Sequence, residues 1–398
     1  MELNESYKQT EVGRIPKDWD VKQIREFSKI FVGRDLREGN FSTFQDNLYK
    51  YPVFSNTVDN QGLYGYYSVA EYEGESLTVV GRGVGLGTAF KRKGGYGAIG
   101  RLLVLFPDKD IDPNFLTEYI NQSVRVLEES SGIPQLTGIS LGRYQIPLPP
   151  TKAEQEAIVA ALGDADALIE SLEKLIAKKR DIKQGAMQEL LKPKAGWAVE
   201  KLPALVWFQE GPGVRKYQFT TSGVKLLNGT NIENGILLLD KTDRFISNHD
   251  AFGWYSHFLV DDGDILIACS GISVDKFHEK VTEANKSHLP LCMNTSTMRF
   301  KILSKRIIKP FFFHFLKSNS FKQQIGEQIT GSAQLNFGPA HVKWVEIHFP
   351  SVPEQEKIAQ ILSDMDVEIE ALEKKLDKYK MLKQGMMQNL LTGRIRLV

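Results

Sequence analysis

The first segment with residues suited to chemistry is a run of alternating glycines. Positions 81–87 read GRGVGLG, and a basic triplet, KRK, follows at 91–93. Glycine lets a backbone approach a ligand closely, and Arg82 with the triplet could neutralise phosphates. A nucleotide site would need G-x-G-x-x-G opening a helix or a terminal Gly-Lys-Ser/Thr, and neither spacing occurs. The segment predicts a phosphate-contacting loop, with a solvated hairpin bearing basic residues as the alternative.

The second half of the sequence has small polar residues where predicted strands break. The segment 228–231 reads NGTN, and Ser270, Ser273 and Lys276 follow an apolar run that ends at Ala268. Asparagine, serine, threonine and lysine are residue types that read base edges and hold phosphates. They are also ordinary turn formers. For any single one of them the two interpretations stay open.

Two groups of potential metal ligands have a spacing in the sequence that does not suit a metal site. Asp164 and Asp166 lie two positions apart on a predicted helix, so their side chains point about 200° away from each other. The segment 269–292 holds two cysteines and two histidines without C-x-x-C or H-x-x-x-H spacing. The sequence therefore predicts no metal site.

Motifs of common enzymes are also missing from the sequence. It contains no Asn/Asp-Pro-Pro-Tyr/Phe motif of a methyltransferase, no Walker lysine, no H-E-x-x-H and no G-x-S-x-G. We therefore expect a protein that is not an enzyme and binds no cofactor itself.

Composition predicts a globular protein. The chain has 398 residues, of which 42% are hydrophobic, and a net charge of +1. With only two cysteines, the sequence predicts no disulfide framework. Neither a signal peptide nor an apolar run of about 20 residues is visible. These features predict a cytoplasmic protein of two or three domains without a membrane segment. The balanced charge neither indicates nor excludes nucleic acid.

The elements that must position these residues are organised by a repeat. Residues 154–191 and 354–391 are identical at 20 of 38 positions. Apolar residues in both copies recur at steps of four and three, which predicts helices that pack along each other as a coiled coil. Each helix would be on the order of 50 Å long. The predicted seam comprises Ile158, Leu162, Ile169, Leu172, Ile176, Ile358, Leu362, Met365, Ile369, Leu372 and Leu376, and it restarts at Ile182 and Leu382.

A globule precedes each predicted helix. Both globules open on a tryptophan segment, 14–24 and 196–202, and both contain a Gly-x-x-Gln-Leu element, 132–136 and 331–335. Segments 51–68, 76–106, 224–240, 263–271 and 295–303 predict strands, and helices are predicted at Pro113–Glu129, with Asp112 as N-cap, and Lys309–Ile329. The predicted boundaries are 1–150 (first recognition domain), 151–191 (helix), 192–350 (second recognition domain), 351–391 (helix) and 392–398 (tail).

These elements define a fold class. We expect an α+β protein with two similar β-rich domains, separated by two long helices packed as an antiparallel coiled coil. The arrangement would be a pseudo-twofold internal repeat.

The motifs resemble those of a known family. The chain is similar to specificity subunits of type I DNA restriction-modification enzymes over essentially its whole length. The resemblance rests on the twice-used helix with its E-Q-E start and K-Q-G-x-M-Q-x-L-L end (183–191, 383–391), and on four further segments. These segments are Ile15–Trp19, YPVFSN at 51–56, VVGRG at 79–83 and GDILIACSG at 263–271.

The resemblance implies what the chain binds. Each globule would be a target recognition domain for half of an asymmetric, bipartite double-stranded DNA target. The helices would set the unread gap and dock two methyltransferase subunits, and restriction/translocase subunits would join them. S-adenosylmethionine, ATP and Mg²⁺ are expected only in those partners. The candidate DNA-binding residues are Ser55, Asn56, Arg82, Gly83, Lys91, Arg92, Lys93, Gln135, Asn228, Thr230, Asn231, Ser270, Ser273, Lys276 and Gln334.

Two other interpretations stay open at this stage. One is a coiled-coil scaffold whose β-rich modules bind protein or carbohydrate, and the other is an unrecognised nuclease or methyltransferase. On the first interpretation a selection on random DNA would enrich no sequence, and on the second the isolated chain would be active. Outward glutamates of the helices, Glu170, Glu173, Glu370 and Glu373, are expected to be free for partner subunits.

Overall fold

The computed structural model of the chain describes residues 6–123, 135–327 and 334–397. The chain forms two compact units. Unit 1 comprises Met1–Lys174 and Lys374–Val398, and unit 2 comprises Leu175–Glu373. Each unit therefore contains one globule and a part of each long helix. The boundaries given above separate globules from helices, which is a different division, and they stay a prediction.

The described residues form short helices, many short strands and two long helices. The helices are α1 (Ile24–Phe27), α2 (Pro113–Ser123), α3 (Gly138–Gly142), α4 (Lys152–Leu190), α5 (Asn248–Phe252), α6 (Lys309–Lys317), α7 (Asn319–Glu327), α8 (Pro339–Val342) and α9 (Val352–Leu390). The helices α4 and α9 have 39 residues each and confirm the two predicted long helices. At about 1.5 Å per residue each is about 58 Å long.

Unit 1 has a β-rich globule. Its strands are β1 (Tyr7–Thr10), β2 (Gly13–Pro16), β3 (Asp20–Gln23), β4 (Ser28–Val32), β5 (Phe41–Ser42), β6 (Tyr51–Phe54), β7 (Leu63–Tyr67), β8 (Tyr72–Glu73), β9 (Ser76–Val79), β10 (Ala89–Arg92), β11 (Gly95–Ala98), β12 (Leu103–Pro107) and β13 (Gln145–Leu148). An antiparallel sheet has the order β10-β9-β12-β4, and a mixed sheet has the order β5-β7-β6-β11-β8 with β6 and β11 parallel. Strands β3 and β13 pair separately.

Unit 2 repeats this plan with different strands. They are β14 (Ala198–Lys201), β15 (Val206–Glu210), β16 (Val224–Leu227), β17 (Ile232–Glu233), β18 (Ile236–Leu237), β19 (Phe245–Ile246), β20 (Ile265–Ala268), β21 (Ile272–Ser273), β22 (Val281–Glu283), β23 (Leu291–Met293), β24 (Thr297–Ile302), β25 (Gln334–Leu335) and β26 (Glu346–Phe349). An antiparallel sheet has the order β15-β24-β20-β22, and the sheet β19-β16-β23 is mixed, with β16 and β23 parallel. Strand β14 pairs with β26, as β3 pairs with β13 in unit 1.

The start of each long helix belongs to the core of a globule. In unit 1, Ile158 and Leu162 of α4 pack in one apolar cluster with Trp19 and Phe115. In unit 2, Ile358 and Leu362 of α9 pack in the cluster that contains Phe312. Burying one such side chain stabilises the fold by about 2 kcal/mol. The apolar stripe at these positions therefore holds the helix to its globule and is not only a seam between helices.

The remaining seam residues differ in exposure. Leu172, Ile176 and Ile369 are buried, whereas Ile169, Met365, Leu372 and Leu376 are half-buried. Ile182 and Leu382, where the seam was predicted to restart, are each 48% exposed. The predicted restart of a buried seam at these two residues is therefore wrong. The apolar side chains of the same helix segments that do pack on the cores are Ala186 and Met187 in unit 2 and Met386 and Met387 in unit 1.

Ion pairs show that α4 and α9 are antiparallel within each unit. In unit 1, Asp166 pairs with Lys383 at 2.6 Å, and Glu173 pairs with Lys380 at 2.7 Å. The residue number of the partner on α9 falls as the residue number on α4 rises, as it must when two helices are antiparallel. In unit 2, Lys179 pairs with Glu368 and Arg180 with Glu373, both at 2.6 Å, and Lys183 pairs with Asp366.

These pairs correct the expectation that outward glutamates are free. Glu173 and Glu373 bridge the two helices, and Glu170 pairs with Lys174 at 2.5 Å along its own helix. Alternating charges beside an apolar stripe are the usual flanks of a helix pair. Glu173 and Glu373 therefore serve the pairing of α4 with α9, whereas Glu170 is engaged within its own helix. Glu370 also has an interaction partner.

Two predicted short helices differ from those in the structure. The first, with Asp112 as its N-cap, is confirmed at its start, because the Asp112 carboxylate accepts a hydrogen bond from the Phe115 N–H at 3.1 Å. Residues 124–129 lie outside the described residues. The second is two helices, α6 and α7, because Ser318 between them has an extended backbone and its hydroxyl accepts a hydrogen bond from the Phe321 N–H at 3.3 Å. Residues 328 and 329 lie outside the described residues.

Candidate nucleic-acid interface

Asn56 organises the loops at one end of the sheets in unit 1. Its Oδ1 accepts a hydrogen bond from the Gly81 N–H at 2.7 Å, and its Nδ2 donates to the Gly100 carbonyl. Ser55 beside it closes a turn, because its N–H donates to the Gly62 carbonyl at 2.8 Å. Both side chains are half-buried. Asn56 and Ser55 therefore hold three loops together, and their predicted DNA contacts stay predictions.

The glycine segment of unit 1 forms an exposed loop. Gly83, Gly85 and Gly87 have φ of +84°, +82° and +87°, a region that strains other residues. A Cβ on Gly85 would also lie 2.2 Å from the Val58 side chain. The backbone at Arg82 pairs with Gln135, and both residues are exposed together with Gly83. The loop therefore leaves Arg82, Gly83 and Gln135 accessible, and their predicted DNA contacts stay predictions.

The basic triplet divides into two exposed lysines and one buried arginine. Lys91 and Lys93 are exposed, and Lys93 pairs loosely with Glu75 at 3.6 Å. Arg92 is 7% exposed, and its guanidinium donates to the Thr78 hydroxyl and the Gln61 carbonyl.

The guanidinium of Arg92 also lies 3.5 Å from the centre of the Phe54 ring. Burial lowers the pKa of Arg92 to about 10. Arg92 thus serves the interior of unit 1 and is not available to a phosphate, which corrects the prediction for this residue.

In unit 2 the corresponding loop follows β20. Asn336 accepts hydrogen bonds at its Oδ1 from the Ser270 hydroxyl at 2.9 Å and from the Gly271 N–H at 2.8 Å. Ser273 of β21 pairs with Gln334 of β25. The three predicted residues Ser270, Ser273 and Gln334 are thereby brought together at an exposed edge. The sequence analysis missed Asn336, whose sole signal was its position one residue after the Gly-x-x-Gln-Leu element.

The asparagines of the other predicted loop in unit 2 are structural. Asn231 is 3% exposed, and its Oδ1 accepts a hydrogen bond from the Asn228 N–H at 2.9 Å. Asn228 in turn accepts one from the Asn294 side chain at 3.0 Å. The turn presents Thr230, which is exposed, and Lys276 is exposed on a separate segment. Asn231 is therefore a turn former, and this burial corrects its predicted contact with DNA.

The Gly-x-x-Gln-Leu element has the same place in both units. In unit 1, Gln135 pairs with Arg82 beyond β9, and the Leu136 N–H donates to the Gly81 carbonyl at 2.8 Å. In unit 2, Gln334 pairs with Ser273 beyond β20. Residues 132–134 and 331–333 of the two elements lie outside the described residues. Each unit thus presents a loop that leaves an inner strand of its sheet and is closed by a glutamine-leucine segment.

The described residues lack two further kinds of feature, a metal-binding cluster and a membrane-spanning helix. Within residues 6–123, 135–327 and 334–397, no group of three or more His, Cys, Asp or Glu side chains could hold a metal ion. Burial raises the pKa of the Cys269 thiol above its ordinary range and that of Cys292 to about 12. No helix in the described part of the chain is long and apolar enough to cross a membrane.

Comparison with known proteins identifies the family. The model of the type I restriction modification DNA specificity domain matches residues 16–179 and again 196–379. The chain belongs to this family and carries two copies of its domain. It is a specificity subunit of a type I restriction-modification system, as the resemblance implied.

Relatives and structures agree with this assignment. The type I restriction enzyme MjaVIII specificity subunit of Methanocaldococcus jannaschii is 25% identical over 99% of this chain and 96% of its own length. The putative MjaX specificity subunit of the same organism is 24% identical over 99% and 97%.

Among solved structures, the type I S subunit from M. genitalium has a TM-score of 0.55 at 15% identity and covers 98% of both chains. A chain from a type I R-M system solved for its assembly and conformational transition has a TM-score of 0.62 at 14% identity, covering 96% of this chain and 99% of that one. These two structures share the fold, which confirms the predicted fold class.

Proposed function

We propose that each unit of this chain reads one half of an asymmetric, bipartite DNA target for a type I restriction-modification enzyme. The observation that supports this proposal is that the two units share a scaffold but have different loops. The glutamine-leucine segment pairs with Arg82 in unit 1 and with Ser273 in unit 2. A common scaffold gives both units the same way of meeting a duplex, and different loop side chains give them different half-sites. The family match argues against the alternative function, a coiled-coil scaffold whose modules bind protein or carbohydrate.

The exposed candidates divide by the contact that each side chain can make. Lysine and arginine neutralise phosphates and set the position of the protein on the duplex. Serine, threonine and glutamine can exchange hydrogen bonds with base edges, which carry the sequence information. The phosphate group comprises Arg82, Lys91, Lys93 and Lys276, and the base-edge group comprises Gln135, Thr230, Ser270, Ser273 and Gln334.

The long helices have two roles in this proposal. They set the length of the unread gap, and they dock two methyltransferase subunits, which restriction/translocase subunits join. The chain itself supplies no catalytic group. S-adenosylmethionine, ATP and Mg²⁺ act in the partner subunits, and extruding the target adenine is also their work, because a base must leave the stack before its atoms can react. The complex acts in the cytoplasm.

A domain exchange tests the proposal. Residues 1–150 are replaced by the equivalent domain of a relative with a different target, and the methylated sequence is determined by long-read sequencing of the host genome. We expect one half of the methylated motif to change while the other half and the gap stay the same. A matched exchange of 192–350 should change the opposite half. Change in both halves, or in neither, would contradict modular reading.

A further inference from the structure

Arg101 occupies a strained position in a tight turn of unit 1. Gly100 and Arg101 both have positive φ, +65° and +67°, and the Leu102 N–H donates to the Ile99 carbonyl at 3.2 Å. Positive φ at both central residues is the pattern of a type I′ turn, whose second central position favours glycine. Residues other than glycine and asparagine adopt this conformation rarely, and in the described residues only Gln61 and Arg101 do so. Strain of this kind persists where the surrounding structure holds it, and it clusters at functional sites.

The turn is built into the loop cluster that Asn56 organises. The Gly100 N–H donates to the Arg34 carbonyl at 3.0 Å, and the Gly100 carbonyl accepts from the Asn56 side chain. The Arg101 carbonyl oxygen lies 3.0 Å from where a Cβ on Gly81 would be. The turn at Arg101, the loop at Arg34 and the glycine loop thus form one surface of unit 1.

The side chains on this surface carry positive charge. Arg34, Arg82 and Arg101 are exposed, and across the described residues none of the three takes part in an ion pair. Arg37, three positions after Arg34, pairs instead with Glu71 at 3.1 Å. Three exposed guanidinium groups on adjoining loops attract a polyanion, and a duplex provides one.

We propose that Arg101 reads a guanine edge in the half-site of unit 1, while Arg34 and Arg82 hold phosphates. Arg101 is distinguished from Arg34 and Arg82 by its strained backbone conformation. A phosphate can be met by a long flexible side chain from many directions, whereas two hydrogen bonds to guanine O6 and N7 require a fixed direction. The turn is held by the backbone hydrogen bonds of Gly100 and Leu102, so the point and direction at which the Arg101 side chain leaves the backbone are fixed. This inference rests on the proposed function and adds to it one residue that determines specificity.

The test uses the complete methyltransferase complex with Arg101→Gly and Arg101→Lys variants, and Arg37→Ala as the matched control. Binding is measured on duplexes that differ from the methylated motif at one base pair at a time. For wild type, replacing one G·C pair of the half-site should weaken binding about 5- to 150-fold. Arg101→Gly should lose this discrimination at that pair alone, and Arg101→Lys should lose part of it, because an ammonium group lacks the rigid fork of donors that a guanidinium presents. Arg37→Ala should keep it.

Folding is separated from recognition by a second measurement. Glycine relieves the strain at position 101, so Arg101→Gly should unfold at a midpoint no lower than that of wild type.

Three results would overturn the inference: unchanged discrimination, uniform weakening on all duplexes with Arg101→Lys equal to wild type, or a lowered unfolding midpoint that accounts for the lost binding. The domain exchange reports on the proposed function independently. If it changes one half of the motif while the Arg101 variants keep discrimination, only the role of Arg101 fails.

Discussion

Gln155 and Gln355 do the same work in the two units. The Oε1 of Gln155 accepts a hydrogen bond from the Asp112 N–H at 2.7 Å, and its Nε2 donates to the Asp110 carbonyl at 3.1 Å. The Oε1 of Gln355 accepts one from the Ile308 N–H at 3.0 Å, and its Nε2 donates to the Arg306 carbonyl at 2.8 Å. Each glutamine thus ties a long helix to the turn that opens a helix of the globule.

Replacing either glutamine by leucine should destabilise the unit that contains it. Both side chains are buried, at 1% and 0% exposure, so the backbone groups that they satisfy have no access to water. A buried polar group without a partner costs about 1–3 kcal/mol, and we expect a loss of about 3 kcal/mol for Gln155→Leu. Hydrogen exchange of unit 1 peptides measures it, because unit 2 serves as an internal reference.

The control for this prediction is Glu156→Leu. Glu156 is the exposed neighbour in the same E-Q-E motif, and such a substitution should change the free energy of unfolding by less than about 0.5 kcal/mol. Equal protection of unit 1 in Gln155→Leu and Glu156→Leu would contradict the role assigned to the glutamine.

His314 predicts a pH dependence of unit 2. It is 2% exposed, and its Nε2 lies 3.3 Å from the Ser363 hydroxyl on α9. Burial lowers the pKa of His314 to about 4, the charges of Lys183 on α4 and Lys317 on α6 act in the same direction, and Asp366 on α9 opposes them. A histidine with a lowered folded pKa binds its proton more readily when unfolded, so unit 2 loses stability as pH falls from 6.5 towards 4.

The expected loss is about 3 kcal/mol, because the pKa of His314 is about 4 in the folded protein and 6.5 in the unfolded chain. Other groups titrate in the same range, so the measurement is the difference between wild type and His314→Gln in urea unfolding of unit 2 between pH 7 and pH 4. The difference should shrink as pH falls. His249→Gln, at an exposed histidine of the same unit, should follow the wild-type profile. Parallel profiles for His314→Gln and wild type would refute the assignment.

Helices could be predicted from the sequence where their apolar residues recur periodically. The repeat with its steps of four and three identifies α4 and α9 because helix pairing needs only a local pattern. The same pattern does not show which element packs on the apolar stripe of a helix. Ile158 and Leu162 are therefore predicted as part of a seam between helices, although they also pack on their globule. A single side-chain hydrogen bond, from Phe321 to Ser318, splits one predicted helix into two.

The site was harder to predict because the same residue types hold turns and bind ligands. Arg92 and Asn231 have the composition of a nucleic-acid surface, and only burial reveals that they serve the interior. The sequence analysis did not predict a role for Arg101, because what distinguishes this residue is its backbone conformation. The sequence shows only an arginine at a turn position that favours glycine.

The length of the helices should set the unread gap of the DNA target. A heptad inserted into one helix alone would shift Asp166 against Lys383 and break the antiparallel pairing. We therefore insert seven residues twice, after Lys174 in α4 and after Glu373 in α9, where the chain passes between units. The ion pairs within each unit then keep their register, and the helix faces are preserved to within about 20°.

Seven residues add about 10 Å, which corresponds to about three base pairs at about 3.4 Å each. The methylated motif should keep both half-sites and gain about three unread base pairs between them, as measured by long-read sequencing. Replacing the adjacent heptads with the inserted sequence, without a change of length, is the control and should leave the gap unchanged. An unchanged gap in the double insertion, with methylation retained, would show that the helices do not measure distance.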